Sequence, residues 1–170
     1  FARKLYEKAS VTYSLDGMAK RQYEIYEKIC ACELRRKTRR RDGVLICGAY
    51  GRGNAGDEAI LKAILNAMRQ IDPLLPLTVM TRKPAETEQL HGVRAIYTFN
   101  FFDFLRVMRR SSLFINGGGS LIQDITSSRS LYFYLFTIWA ARHLGCKVLM
   151  YGCGIGHVSR RRNRRIAARI

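Results

Sequence analysis

The chain has 170 residues, 48% of them hydrophobic, and carries 30 Lys and Arg against 13 Asp and Glu, for a formal net charge of +17. This length is enough for one Rossmann-sized unit with a short appendage, and it excludes two full domains. The charge favours an anionic partner such as nucleic acid, anionic lipid or a phosphorylated sugar, but no nucleic-acid-binding module surrounds the two basic blocks, residues 35–41 and 160–169, so we expect no nucleic-acid partner.

The first part of the chain predicts a helix followed by a linker. Apolar residues recur at helical spacing over residues 15–32, which indicates one amphipathic helix. A run of like charges follows and ends at Gly43, a pattern typical of a linker. We therefore predict a helical tail at residues 1–34, a basic linker at residues 35–43 and a Rossmann-like domain at residues 44–170.

We expect trypsin to cut the native chain first within residues 35–43, because mutual repulsion of the like charges keeps such a segment extended and accessible. Time-resolved limited digestion with mass spectrometry measures the order of cleavage. Protection of this stretch while other sites are cut would contradict the linker.

Beyond the linker, short apolar runs alternate with helical segments. Strands are predicted at residues 44–47, 77–80, 95–97, 113–116 and 147–151, and helices at residues 57–71, 84–90, 101–110, 128–144 and from about 160 onwards. Strands that are apolar throughout are buried on both faces, so the pattern predicts an α/β fold, a Rossmann-like parallel sheet with helices on both faces. The aromatic stripe of the fourth of these helices is predicted to be helix packing; it comprises Tyr132, Phe133, Phe136 and Trp139.

A Gly-rich segment follows the first of these strands, at the sheet edge where ligands of parallel sheets bind. Its glycines let the backbone approach a ligand, and an acidic pair opens the next helix. We predict Asp57 as a catalytic residue and four neighbours as substrate-binding: Gly51, Asn54, Gly56 and Glu58. The alternative is that Asp57 only caps its helix and that the glycines only form a tight turn. The spacing fits neither a dinucleotide fingerprint nor a P-loop.

A second such segment follows the fourth strand, and three consecutive glycines there indicate a close ligand contact. The residues predicted to bind substrate are Gly117, Gly118, Gly119, Ser120, Gln123 and Asp124. Arg129 follows and is predicted to fork onto a carboxylate or phosphate; the alternative is that Ser128 caps the helix and Arg129 is solvated. A third segment, residues 151–157, ends in His157, which more often is a loop residue than a catalytic one.

Taken together, the three segments resemble the polysaccharide pyruvyl transferase family. The family turn Gly-Tyr-Tyr-Gly-x-x-Asn-x-Gly-Asp-Glu-Ala is matched by residues 48–59, with Ala49 in place of an aromatic residue. The family's Gly-Gly-Gly-Ser-Leu-x-Gln-Asp and Thr-Ser-Ser-Arg-Ser segments are matched by residues 117–124 and 126–130, and its Gly-Ile-Gly turn by residues 154–156, where His157 stands in place of the usual Pro.

The resemblance implies an enzyme that transfers a pyruvyl unit from phosphoenolpyruvate to a sugar and forms a ketal. The implied architecture is GT-B-like, with two Rossmann domains of which this chain holds the first. The implied partners are phosphoenolpyruvate as donor, with no further cofactor and no metal, and a lipid-linked or polymeric glycan acceptor of the cell wall or cell surface. In Gram-positive bacteria such ketals anchor S-layer proteins.

We expect this 170-residue chain by itself to be inactive, because the family's catalytic His is expected in the second half of the pattern, beyond Ile170. Release of phosphate from phosphoenolpyruvate in the presence of acceptor measures the activity. Turnover by the isolated chain would overturn this expectation.

Residues 1–34 resemble something different, the closing helix of a GT4-type glycosyltransferase. Two other functions stay open: a sugar-nucleotide-dependent GT-B glycosyltransferase throughout, and a basic, non-enzymatic module that binds polyanions. No leader opens the sequence, and the longest apolar run, residues 131–141, is too short to cross a bilayer. Five cysteines without paired or zinc-ligand spacing are expected to be reduced and buried. We expect a cytoplasmic protein, with peripheral contact to the inner face of the membrane as an open alternative.

Overall fold

The computed structural model describes residues 19–26, 41–125 and 127–170. The chain divides into two compact units, residues 1–40 and 41–170. In the first, residues 19–26 form helix α1, within the predicted amphipathic helix; the rest of that helix and the predicted linker up to residue 40 lie outside the described residues. In the second, the guanidinium of Arg41 donates to the carbonyl oxygen of Leu144, and the first strand begins at Gly43.

Strands and helices alternate through the second unit, as the sequence predicts. The strands are β1 (Gly43–Cys47), β2 (Leu77–Thr81), β3 (Arg94–Tyr97), β4 (Ser111–Gly117) and β5 (Lys147–Tyr151). The helices are α2 (Ala55–Ile71), α3 (Pro84–His91), α4 (Phe101–Arg110), α5 (Ser128–His143) and α6 (Arg161–Ala167). Among the described residues, no helix has both the length and the apolar composition needed to span a membrane.

The five strands form one parallel sheet in the order β3-β2-β1-β4-β5. The chain builds outwards from β1 in one direction through β2 and β3, and then crosses to β4 and β5. The strand order therefore reverses next to β1, between β1 and β4, which is the switch point where ligands bind in open α/β sheets. The predicted α/β, Rossmann-like fold is confirmed.

Alternate residues of the central strands pack into two separate hydrophobic cores, one on each face of the sheet. Val44 and Ile46 pack with Leu61 and Leu65 of α2 on one face, whereas Leu45 packs with the core residues of α4 and α5 on the other. Partly buried apolar residues of α6 join this second core. The sheet is therefore covered on both faces, by α2 and α3 on one side and by α4, α5 and α6 on the other.

The aromatic stripe of α5 is only partly covered. Phe133 is half-buried and packs against the core, and the ring of Phe136 lies 6.0 Å from that of the buried Phe104, centroid to centroid. The predicted helix packing is confirmed for these two residues. Tyr132, Phe136 and Trp139 nevertheless stay exposed over 37%, 37% and 45% of their surfaces, because the spacing of apolar residues does not reveal how much of a helix a single sheet can cover.

The cysteines of the second unit are free. Cys47 and Cys146 are buried and Cys153 is half-buried, while Cys30 and Cys32 lie outside the described residues. Burial raises the pKa of the Cys47 thiol to about 12 and that of Cys153 to about 11. The prediction of reduced, buried thiols is confirmed for Cys47 and Cys146. The raised pKa values keep the Cys47 and Cys153 thiols protonated and therefore unreactive at neutral pH.

Candidate anion-binding site

The loop after β1 is fastened to the end of β2. Gly51 has a φ of +73°, and a Cβ on it would lie 2.5 Å from Oγ1 of Thr81 and 2.9 Å from the backbone nitrogen of Arg82, so only glycine fits there. The amide of Arg82 donates to the carbonyl oxygen of Tyr50 over 3.2 Å. This close approach brings the next residue of the loop, Arg52, beside Arg82.

Arg52, Arg82 and Arg129 line one cavity of about 340 Å³ at the carboxyl end of the sheet. They come from the loops after β1 and β2 and from the first turn of α5. No acidic side chain lines the cavity, and none of the three arginines forms a salt bridge within the described parts of the chain. Three guanidinium groups without a carboxylate partner make a site for an anion with several oxygens.

The cavity also contains a buried hydroxyl. Thr98, just after β3, is only 8% exposed, and its Oγ1 finds no hydrogen-bond partner in the part of the chain that the structure describes. A buried polar group left unpaired costs on the order of 1–3 kcal/mol, which a ligand that bonds it would offset. Ser127 and Ser130 add hydroxyls beside the N-terminus of α5, whose partial positive charge also favours an anion.

Aromatic rings complete the walls and hold one arginine in place. The guanidinium carbon of Arg82 lies 4.2 Å from the ring centroid of Phe99, and Nη1 donates to the Tyr97 hydroxyl over 3.4 Å. Phe99 in turn packs edge-on against Phe133, with 5.5 Å between centroids. The cation–π contact restrains the side chain but leaves the other donors of the fork free for a ligand.

Asp57 occupies a separate position beside the second Gly-rich turn. It is only 7% exposed, and its Oδ2 accepts a hydrogen bond of 2.8 Å from Nδ2 of Asn54. Burial raises the pKa of the Asp57 carboxyl above its usual range, while the Asn54 hydrogen bond and the charge of Arg52 act in the opposite direction. A carboxylate held in a buried site with a raised pKa has the properties of an acid–base group.

The helix cap is Asn54 rather than Asp57. The Asn54 side chain accepts from the amide of Gly56 over 3.0 Å, at the N-cap position of α2. Glu58 reaches back to accept from the amide of Gly51 over 2.7 Å and so holds the loop closed. Asp57 stands in the first turn of α2 and bonds to the cap residue, so its catalytic role stays a prediction beside the alternative that it only supports the helix start. Asn54 and Glu58 position the loop that carries Arg52.

The three consecutive glycines at the end of β4 are each required for a different physical reason. Gly117 has no room for a side chain, because a Cβ there would lie 2.5 Å from Cδ1 of Ile64 and 2.7 Å from the hydroxyl of Tyr50. That hydroxyl donates to the Gly117 carbonyl oxygen over 2.8 Å. Gly118 and Gly119 have φ values of +87° and +63°, and a Cβ on Gly119 would lie 3.0 Å from Oδ1 of Asp57. Their missing side chains are what lets this turn lie against the carboxylate.

The second and third Gly-rich segments are paired with each other. The amide of Gly154 donates to the Gly119 carbonyl oxygen over 2.9 Å, and a Cβ on Gly154 would lie 2.6 Å from Oγ of Ser120. A Cβ on Gly156 would lie 2.7 Å from Oε1 of Gln123. These glycines allow two loops to run side by side, so the structure gives them a packing role, and it places Ser120 and Gln123 against the third segment.

Asp124, in the second Gly-rich segment, lies in space beside the N-terminus of α6. It accepts from the amides of Ser159 and Arg160 over 2.7 and 3.1 Å, and from Nδ2 of Asn163 over 2.8 Å. The two backbone hydrogen bonds lower the pKa of Asp124 to about 2. Asn163 is buried and also donates to Oγ of Ser128 over 3.0 Å. The N-cap of α5 is Ser127, which corrects the alternative that placed the cap at Ser128.

The predicted site residues thus do not form one site: besides Ser120, Gln123 and Asp124, which contact the third Gly-rich segment and the start of α6, they form two groups. Asp57, Asn54, Gly118 and Gly119 meet at one point, whereas Arg129 lines the arginine cavity, whose lining includes neither Asp57 nor the three glycines. Arg52 links the two groups, because it lines the cavity and its charge acts on Asp57.

Sequence reasoning missed Arg52, Arg82, Thr98 and Phe99. Thr98 directly follows a predicted strand, and Arg82 lies two residues beyond the predicted end of another, a position that could have signalled both. His157 is exposed, and no group of His, Cys, Asp and Glu suited to a metal occurs within the described ranges.

The fold and the cavity define the class of protein: an α/β domain with an arginine-lined cavity at the carboxyl ends of its parallel strands. The family model of polysaccharide pyruvyl transferase matches residues 54–170, more than half of the chain. The chain belongs to this family of transferases, which supports a general role in polysaccharide pyruvyl transfer. No curated protein and no solved structure matches the chain. The family match begins at Asn54, so the GT4-like resemblance of residues 1–34 stays a prediction.

Proposed function

We propose that this chain carries the donor-binding part of an enzyme that transfers a pyruvyl group from phosphoenolpyruvate to a sugar. The observation that carries the proposal is the convergence on one cavity of three arginines that form no salt bridge, and of a buried hydroxyl that makes no hydrogen bond, among the residues that the structure describes. Phosphoenolpyruvate has a phosphate and a carboxylate, two groups that guanidinium forks bind in bidentate fashion. The family match supports the same reaction.

We further propose that Asp57 acts on the acceptor. Two hydroxyls of one sugar become bonded to C2 of phosphoenolpyruvate while the bond between C2 and the phosphate oxygen breaks. Of the two hydroxyl protons, one is balanced by protonation of C3, which becomes the methyl group of the ketal, and the other leaves with the phosphate, so the reaction needs a group that takes up and passes on protons. A buried carboxylate with a raised pKa beside the Gly118–Gly119 turn suits that task. The acceptor we propose is a lipid-linked or polymeric glycan of the cell wall or surface, modified in the cytoplasm, where the ketal would serve S-layer anchoring.

Calorimetric titration of the 170-residue chain with phosphoenolpyruvate tests the donor site, with inorganic phosphate, pyruvate and a sugar nucleotide as competitors. We expect saturable binding of phosphoenolpyruvate that phosphate weakens and the sugar nucleotide does not. Preference for the sugar nucleotide would instead support a glycosyltransferase. Non-saturable binding of any polyanion, lost steeply with salt, would support the basic binding module.

A further inference from the structure

Helices α4, α5 and α6 form one continuous layer on their face of the sheet, with α5 in the middle. The ring of Phe101 on α4 lies 5.9 Å from that of Phe136 on α5, centroid to centroid. On the other flank, the hydroxyl of Tyr132 on α5 donates to Oδ1 of Asn163 on α6 over 2.6 Å. The outward sides of the three helices therefore belong to one surface.

This surface bears an exposed aromatic ridge, which we define as Phe101, Phe102, Phe136 and Trp139. Phe102 is 81% exposed, Phe101 50%, Trp139 45% and Phe136 37%. The rings follow one another, with 6.3 Å between the centroids of Phe101 and Phe102 and 6.1 Å between those of Phe136 and Trp139. A contiguous exposed aromatic patch of this kind marks an interaction surface rather than scattered surface residues.

The helices that carry the ridge are rich in arginine. Helices α4, α5 and α6 together carry nine arginines and a single carboxylate, Asp103, whereas α2 and α3 on the opposite face carry four carboxylates and two basic residues. Arg161, Arg162 and Arg165 on α6 are exposed and form no salt bridge within the described residues. Among the helices that cover the sheet, positive charge is thus concentrated in the layer that holds the exposed aromatics.

We propose that this aromatic and basic face docks on the surface of an anionic lipid bilayer. Aromatic side chains insert at the headgroup level, and arginines around them bind anionic headgroups, the combination that holds peripheral proteins in the interface. A second copy of the chain is a poor occupant, because a two-fold interface would bring the same arginines face to face without acidic partners. The inference does not depend on the proposed donor, since the ridge lies outside the arginine cavity.

Flotation of the 170-residue chain with lipid vesicles tests the proposal. We expect binding to phosphatidylcholine vesicles that contain about one third phosphatidylglycerol, little binding to pure phosphatidylcholine, and weakening at about 0.5 M salt. Phe102→Ser with Trp139→Ser, and separately Arg161→Glu with Arg165→Glu, should each lower the partition coefficient at least about tenfold. Leu74→Ser and Lys62→Glu change exposed residues outside this layer and should leave vesicle binding unchanged.

Phosphoenolpyruvate titration of the same variants keeps the two proposals separate. If the variants lose vesicle binding but bind phosphoenolpyruvate as the unaltered chain does, the docking face is supported. If neither the unaltered chain nor any variant binds phosphoenolpyruvate, the proposed function fails and the docking face is still decided by the vesicle data. Equal vesicle binding by the aromatic variant and the unaltered chain would overturn the proposal and reduce the effect to unspecific attraction of a polycation. A second result would also overturn it: the unaltered chain does not bind vesicles and sediments as a dimer, and the aromatic variant sediments as a monomer. The ridge would then be a self-association surface.

Discussion

Asp57→Asn is expected to lower pyruvyl transfer about 10²-fold or more, in an active enzyme that contains this chain, without loss of thermal stability. Asparagine keeps the size of the side chain and an oxygen that accepts from Nδ2 of Asn54, so the packing against Gly119 survives. The substitution removes only the charge and the proton-accepting capacity. Steady-state kinetics and a melting curve of the same preparation measure the two effects. Full activity in this variant would remove Asp57 from the site.

The raised pKa of Asp57 also predicts the direction in which Asp57→Asn changes the stability of the fold as pH varies. Because burial raises the pKa of Asp57, the folded chain keeps a proton that the unfolded chain has already released. Stability contributed by this group is therefore present below the unfolded pKa of about 3.9 and is lost as pH rises through the folded value. At neutral pH we expect Asp57→Asn to be at least as stable as the unaltered chain, with the difference shrinking towards pH 4. A variant that is less stable at neutral pH would contradict the raised pKa.

Asp124→Asn is the matched control, because it makes the same chemical change at a carboxylate with the opposite role. Its hydrogen bonds with the amides of Ser159 and Arg160 lower its pKa to about 2, so its stabilising contribution is present above the unfolded value and is lost as pH falls through the folded one. We expect the substitution to lower the melting temperature by roughly 3 °C or more at neutral pH, with little change in donor binding. Loss of phosphoenolpyruvate binding with unchanged stability would restore Asp124 to the substrate site.

Arg129→Lys is expected to weaken phosphoenolpyruvate binding at least about tenfold, and Arg129→Gln at least as much, because a charge-assisted bidentate contact contributes on the order of 1.5–3 kcal/mol. Lysine keeps the charge but loses the planar fork, so an effect of Arg129→Lys separates geometry from simple attraction. Calorimetric titration of the 170-residue chain measures both variants.

Arg142→Gln supplies the control for this series, since it removes the same charge from the other end of α5. It lies outside the cavity and should leave the dissociation constant within about twofold of that of the unaltered chain, apart from a small long-range charge effect. Equal weakening by Arg129→Gln and Arg142→Gln would indicate attraction by net charge rather than a built site.

Much of the fold was predictable from the sequence because each strand and helix has a recognisable local sequence pattern. Apolar strands of four to seven residues, helices of matching period and Gly-rich strand ends all lie within short windows, and the predicted bounds of α4 agree with those observed. The site was predictable only in part. The motifs directed attention to Asp57 and Arg129, whereas Arg52, Arg82 and Thr98 belong to loops whose meeting depends on the order of strands.

The sequence by itself determined the alternation of strands and helices, the burial of both sheet faces and the placement of glycines at the strand ends, since these depend on side-chain polarity and backbone freedom over a few residues. Only the tertiary structure decided what those glycines are for. Gly51 makes room for the end of β2, Gly117 for the hydroxyl of Tyr50 and Gly154 for Ser120. Likewise, the sheet order brings the ends of β1, β2 and β3 together with the start of α5, so that three arginines far apart in the chain share one cavity. Such contacts depend on which segments become neighbours in space, and the local sequence pattern of a segment does not predict its spatial neighbours.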